Sequence, residues 1–395
     1  MNMVTSVAYV LLSGLIFGNL FQKLKMPRLL GMILAGMLIG PCILNLLDES
    51  LLNISSQIRQ IALIIILTRA GLTLDLQDLK KVGRPAILMC FVPACFEIGG
   101  MVLIGPSLLG ITTLEAAILG SVIAAVSPAV VVPKMIQLME TKLGTNKGIP
   151  QMILAGASVD DVFVIVLFTA FTNLAFGQSV GIMNFVSVPI SIVTGVCIGF
   201  LIGVLVNKLL DILSLPSVQS FMIVLCTSFL LMQLQTWIET WIPFSGLLSI
   251  MAMGLAINKQ NVHRAIELNH IYNKCWELAQ IFLFVLVGAS VNLVYAIKAG
   301  PIGILLIVLV MCVRMVGVCM CLLKTPLNKK ERIFTMVAYC PKATVQAAIG
   351  GLPLAMGLAC GEIVLTLSVV SILITAPFGA FMMDLLDEKC LSYPN

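Results

Sequence analysis

Long apolar runs follow one another along almost the whole chain, separated by short polar segments that carry most of the Lys and Arg residues. A run of about 20 apolar residues is what an α-helix needs to cross the ~30 Å hydrocarbon core of a bilayer. Read this way, the pattern predicts thirteen spans, at residues 3–21, 27–47, 58–74, 85–109, 114–132, 148–176, 185–210, 217–237, 243–257, 275–296, 300–323, 333–358 and 363–386. The fold class that follows is an all-α polytopic membrane protein with about 13 transmembrane helices.

The placement of positive charge tests that count, because cytoplasmic loops carry an excess of Lys and Arg. Thirteen spans put eighteen of the 23 bases on the side of the first loop, leave Arg59 and Lys298 opposite, and enclose Arg69, Arg314 and Lys342 within spans. The expected topology is N-terminus outside and C-terminus cytoplasmic, in the plasma or inner membrane. The first run lacks a basic leader and a small-residue cleavage site and is followed at once by Lys23, Lys25 and Arg28, so it reads as a retained span.

Composition agrees with this. Hydrophobic residues make up 60% and charged residues 10%, with a mean hydropathy of +1.10, where soluble domains carry about a quarter charged residues. A net charge of +5 gives no reason to expect nucleic acid; the expected surroundings are membrane lipid. Twelve cysteines sit singly, among them Cys90, Cys95, Cys226, Cys312 and Cys319, without Cys-x-x-Cys or His pairing. They read as small buried hydrophobes, with no cofactor and no redox role. Arg69 reads as snorkelling near the end of its span. The most polar connection, residues 259–274 with His263 and His270, reads as a solvated linker, and no soluble or enzymatic domain has room in the chain.

Two spans contain proline inside a polar break: Ser127-Pro128 in the fifth and Cys340-Pro341-Lys342 in the twelfth. Proline removes a backbone donor and disfavours helix at the residue before it, so both spans are expected to be interrupted there. Each is preceded by a span with a lone mid-span charge, Glu97 at 31 residues before Pro128 and Arg314 at 27 residues before Pro341. Seven spans separate the corresponding members, so they run in opposite directions. That is the pattern of an inverted repeat whose discontinuous helices build a site near the bilayer midplane.

The sixth span carries Asp160-Asp161 with no other charge from Gly148 to Phe176. Intramembrane acids are costly and mark ion or proton paths. Glu97, Asp160, Asp161, Arg314 and Lys342 all fall at similar depth, leaving one net negative charge, which outlines a cation site. Arg314 stays charged and needs a permanent partner, for which Glu97 is expected. Neighbouring aspartates diverge by about 100° around a helix, so one is free to meet Lys342 while the other faces a cavity; the sequence leaves open which. Ser158, Ser127 and Thr344 are candidate oxygen ligands for a hard monovalent ion, or hydroxyls bonded back to their own turns.

The segments Ile65–Asp75, Ala125–Pro133, Gly156–Asp161, Pro341–Gly350 and Ser371–Pro377 resemble the monovalent cation/proton antiporter superfamily, and within it the NHA-type sodium/proton exchangers. The resemblance implies two crossing broken helices, a homodimer, elevator-like alternating access, and Asp160 and Asp161 as carriers of Na+ or Li+ and of H+. Where many relatives have lysine paired to the first aspartate, this chain has Arg314. The expected division is scaffold helices at 1–82, core helices at 83–180, a linker helix at 181–215, further scaffold at 216–298 and the second core half at 299–395. Exchange of K+ by the same mechanism, a passive cation channel and an anion symporter remain as alternatives at the level of sequence.

Overall fold

The computed structural model describes residues 2–24, 26–73, 83–175, 182–238, 241–291 and 293–393. Among these the chain is helical throughout, with no strand, and nine helices are long and apolar enough to cross a membrane. The four other expected spans fall on Arg28–Ile39, Ser55–Thr73, Gly246–Gln260 and the broken pair Lys329–Ala338 and Thr344–Ile349. A 12-residue helix such as Arg28–Ile39 is only about 18 Å long at 1.5 Å per residue. The count of thirteen is therefore not reached by length and hydropathy alone.

Three expectations change. Residues 259–274 are not a solvated linker: after a break at Asn261, whose backbone is extended, they form the start of helix Val262–Ala289. A polar stretch at the head of a long helix reads as loop when only hydropathy is followed. Arg59, expected in an outer loop, lies buried within helix Ser55–Thr73. The cysteines also divide: Cys90 is buried, whereas Cys95, Cys226 and Cys312 are exposed on helices expected to span the membrane.

The chain divides into two compact units. One comprises residues 57–75 and 172–280. Inside it, helix Ile182–Leu213 lies so close to Gly246–Gln260 that a Cβ at Gly199 would collide with the carbonyl of Ser249. The other unit, residues 1–56, 76–171 and 281–395, holds both broken helices and the long helices around them.

The two broken helices begin alike. Thr112 caps the first, with Glu115 reaching back to the Thr112 N–H at 2.8 Å; Asn328 caps the second, with Glu331 reaching back at 2.7 Å. Each is a capping box, satisfying donors that a helix start leaves free. The same device at both starts fits a repeated construction. Of the long spans, Thr113–Glu140 is the most enclosed, with 78% of its apolar window buried, against 22% for the outer helix Met3–Lys23. Enclosure by protein is what allows a broken helix to exist at membrane depth.

Candidate functional site: two crossed helix breaks and a charged cluster

In the first broken helix, Thr113–Ile123 stops, residues 124–127 leave the helical path, and Pro128 starts the half-helix Pro128–Glu140. In the second, Lys329–Ala338 stops and Thr344–Ile349 resumes after Pro341. The breaks cross: the N–H of Ser127 donates to the carbonyl of Pro341 at 2.8 Å. Each break frees backbone groups that must find partners in the dry interior.

Charged side chains supply many of them. Arg314, on helix Leu293–Cys321, donates from Nε to the Tyr339 carbonyl at 3.0 Å and from Nη1 to the Ala124 carbonyl. Lys342 Nζ approaches the same Ala124 carbonyl at 3.4 Å. The Val126 N–H donates to Asp160 Oδ2 at 2.9 Å, and the Lys342 N–H donates to Thr375 Oγ1 at 2.9 Å. Gln346 Nε2 donates to the carbonyls of Ile123 at 3.0 Å and Ala125 at 2.9 Å. Tyr339 lies beneath the arginine, with its ring centroid 5.6 Å from Cζ. A Cβ at Gly156 would collide with the Tyr339 hydroxyl, so the absent side chain lets the aspartate helix Ile149–Ala175 approach this closely.

The ion pairs are as follows. Glu97 Oε2 receives Arg314 Nη1 at 2.7 Å and Lys342 Nζ at 2.6 Å, and Arg314 Nη2 reaches Asp160 Oδ2 at 3.2 Å. All four side chains are at most 1% exposed. The pairing of Glu97 with Arg314 is the one expected. Lys342, in contrast, meets Glu97 rather than either aspartate, and Arg314 meets both Glu97 and Asp160. Two acids and two bases thus form a neutral tetrad, and Asp161 is left outside it. Such a buried network holds only when every member is paired, because an uncompensated charge there is very costly.

Ser127 and Thr344 lie at the two breaks, and Asp161 follows Asp160 on its helix. Ser127 Oγ, Thr344 Oγ1, Asp160 Oδ1 and Asp161 Oδ1 are buried and have no hydrogen-bond partner among the described residues. The Ser158 side chain lies outside the described residues. Gln346 and Tyr339 were missed in the sequence. A neutral amide or phenol inside an apolar run carries no charge signal, although Gln346 in a helix otherwise built from Thr, Val, Ala and Ile was a visible exception. Among the described residues no group of three or more His, Cys, Asp or Glu side chains is set to hold a resident metal.

A multi-spanning helical chain with two crossed, broken helices and a charged cluster at their crossing has the architecture of a secondary transporter. Residues 7–384 match the family described as sodium/hydrogen exchanger, transmembrane. The chain is 33% identical to sodium/hydrogen exchanger 9B2 of Pongo abelii, over 96% of this chain and 73% of that protein, and 31% identical to human sodium/hydrogen exchanger 9B1, over 96% and 76%. Its fold is similar to that of the sodium proton antiporter MjNhaP1 from Methanocaldococcus jannaschii, with a TM-score of 0.83 at 18% identity, covering 99% of each chain. The chain belongs to the sodium/hydrogen exchanger family, and its resemblance to the NHA-type cation/proton antiporters holds.

Proposed function

We propose that this protein exchanges Na+ or Li+ for H+ across a cell membrane, with cation and protons competing for the Asp160–Asp161 pair. The observation that carries the reading is the charge pattern at the crossing. Arg314 and Lys342 are matched by Glu97 and Asp160, and Asp161 stands outside every ion pair among the described residues. A carboxylate in that position needs a counter-charge, which a proton supplies in one leg of the cycle and a dehydrated cation in the other. Both loaded forms then carry the same charge, so the reading is an electroneutral one-for-one exchange.

Neutral oxygens complete the preference. Ser127 Oγ and Thr344 Oγ1 are buried without a partner among the described residues, and hydroxyl oxygens suit a hard monovalent ion. Competition at one site gives exchange only if the site opens to one side at a time. We assign that motion to the core helices at 83–180 and 299–395 moving in an elevator-like manner within a homodimer whose scaffold is 1–82 and 216–298. The N-terminus is outside and the C-terminus cytoplasmic, on the loop charges.

The test uses purified protein in liposomes holding an inside-acid pH gradient and a trapped pH dye, with sodium, lithium, potassium or choline chloride added outside. Dissipation by sodium and lithium alone is expected. Dissipation by potassium would move the assignment to K+/H+ exchange, and no response to any cation would refute antiport.

A further inference from the structure

We propose that Gln346 is a positioning residue for the cation/proton site: it holds the peptide unit that serves Asp160 and links the state of that aspartate to the second broken helix. The inference rests on the antiport reading above and names a residue through which the site is held.

One peptide unit joins Ala125 to Val126. Its carbonyl accepts from Gln346 Nε2 at 2.9 Å, and its N–H donates to Asp160 Oδ2 at 2.9 Å. Because a peptide is planar and trans, these two groups point in opposite directions. Gln346 and Asp160 therefore grip opposite edges of one rigid plate. The second donor of the same amide goes to the Ile123 carbonyl at 3.0 Å, at the last residue of the first half-helix. Both N–H groups of Gln346 are thus spent on the break, and the side chain is 1% exposed. The assignment of its nitrogen follows from these partners, since both are carbonyl oxygens and only the NH2 end donates.

The arrangement is more than a tie between two helices, because one end of it is a carboxylate of the pair that the antiport reading gives to the cation, with its second oxygen, Oδ1, without a partner among the described residues. Hydrogen bonds in a chain polarise one another. With Asp160 ionised, the Val126 N–H is drawn toward the carboxylate and the Ala125 carbonyl becomes a stronger acceptor for Gln346. With a cation held at Oδ1 of the same carboxylate, the pull on the Val126 N–H weakens and the chain slackens at both ends. Gln346 sits on Thr344–Ile349, so the second broken helix feels that difference directly. Without the amide, the Ala125–Val126 plate loses its restraint on the side away from the aspartate, and the N–H is no longer held in line with Oδ2.

The test compares wild type, Q346M and Q346E in liposomes, measuring maximal rate and apparent KM for Na+ and Li+ across pH. Methionine keeps the volume and removes both donors. The expected result for Q346M is an apparent KM raised about tenfold for both cations, the scale of one well-aligned hydrogen bond to a charged group, with maximal rate within about threefold. A protonated glutamate restores one donor and an ionised one restores none. In wild type and Q346M the apparent cation affinity rises with pH as proton competition is relieved, whereas in Q346E loss of the donor on ionisation opposes that rise and gives a flatter profile. Glu97, Asp160, Arg314 and Lys342 surround the crossing in all three proteins, so the difference isolates the new carboxyl. An unchanged KM and pH profile in Q346M, or a loss of folded yield and maximal rate with KM unchanged, would overturn the inference. If Q346M does not fold, Q346E decides: a profile flatter than that of wild type supports the proposal and one parallel to wild type overturns it. Wild type that moves no protons on cation addition is a different result, and sinks the antiport reading itself.

Discussion

Glu97→Gln removes one negative charge from the centre of the tetrad while keeping its shape. The wild-type carboxylate accepts from Arg314 at 2.7 Å and Lys342 at 2.6 Å, with both bases at most 1% exposed. In the variant the amide oxygen still accepts a hydrogen bond, but Lys342 has no carboxylate left beside it, its other acceptor being the Ala124 carbonyl at 3.4 Å, and Arg314 keeps Asp160 at 3.2 Å and two carbonyls. Breaking a buried ion pair by removing one partner costs about 3–5 kcal/mol. Against a total stability on the order of 5–15 kcal/mol, that is a large share, and it lowers the thermal midpoint by on the order of 10 °C. The measurement is the fraction of monodisperse protein in detergent after heating, read by size-exclusion fluorescence, beside initial exchange rates per folded transporter. The expected outcome is a sharply lower midpoint and yield, with turnover per folded molecule within about threefold. An E97Q protein that melts with wild type would refute the structural role of the tetrad, as would a fully stable protein that has lost transport.

The other predictions bear on different parts of the account. Asp161→Asn abolishes exchange and Asp160→Asn nearly does; folded yield stays near wild type for Asp161→Asn, whose carboxyl is outside the tetrad, and falls for Asp160→Asn, which leaves Arg314 and Lys342 with one acid; liposome assays with yields measured in parallel check this. Gly156→Ala places a methyl group against the Tyr339 hydroxyl and costs about 1–3 kcal/mol of stability, visible as a lower melting midpoint. Lys134 is 9% exposed and bridges Asp384 at 2.6 Å and Asp387 at 2.7 Å, but Asp384 is 64% exposed and Asp387 only 16%. Asp387→Asn therefore lowers the midpoint more than Asp384→Asn, because exposed pairs contribute little. Exchange rates are unchanged when the membrane potential is clamped with a potassium ionophore; a rate that follows the potential would contradict the one-for-one stoichiometry.

Much of this architecture could be read from the chain because charge inside an apolar run is so conspicuous. Glu97, Arg314, Lys342 and the Asp160–Asp161 pair all announced themselves that way, and Pro128 and Pro341 marked both breaks through their missing N–H groups. The pairing scheme was less legible. One-dimensional spacing places Glu97 and Arg314 on equivalent helices, which led to their expected contact, but it does not reveal that Lys342 turns to Glu97 rather than to an aspartate. The role of Gln346 was hidden for a related reason, since it satisfies carbonyls that are free only once the first break forms, and that of Tyr339 because its ring meets Arg314 only in the fold. The start of helix Val262–Ala289 was misread because hydropathy follows the lipid and not the backbone: residues 259–274 are polar and helical at once.

The most direct test of the central claim measures tracer sodium and proton movement in the same vesicles, for wild type and Asp161→Asn. The account predicts one proton moved for each sodium in wild type and loss of both fluxes together in the variant. Sodium crossing without a counter-moving proton, or undiminished exchange by Asp161→Asn, would contradict it.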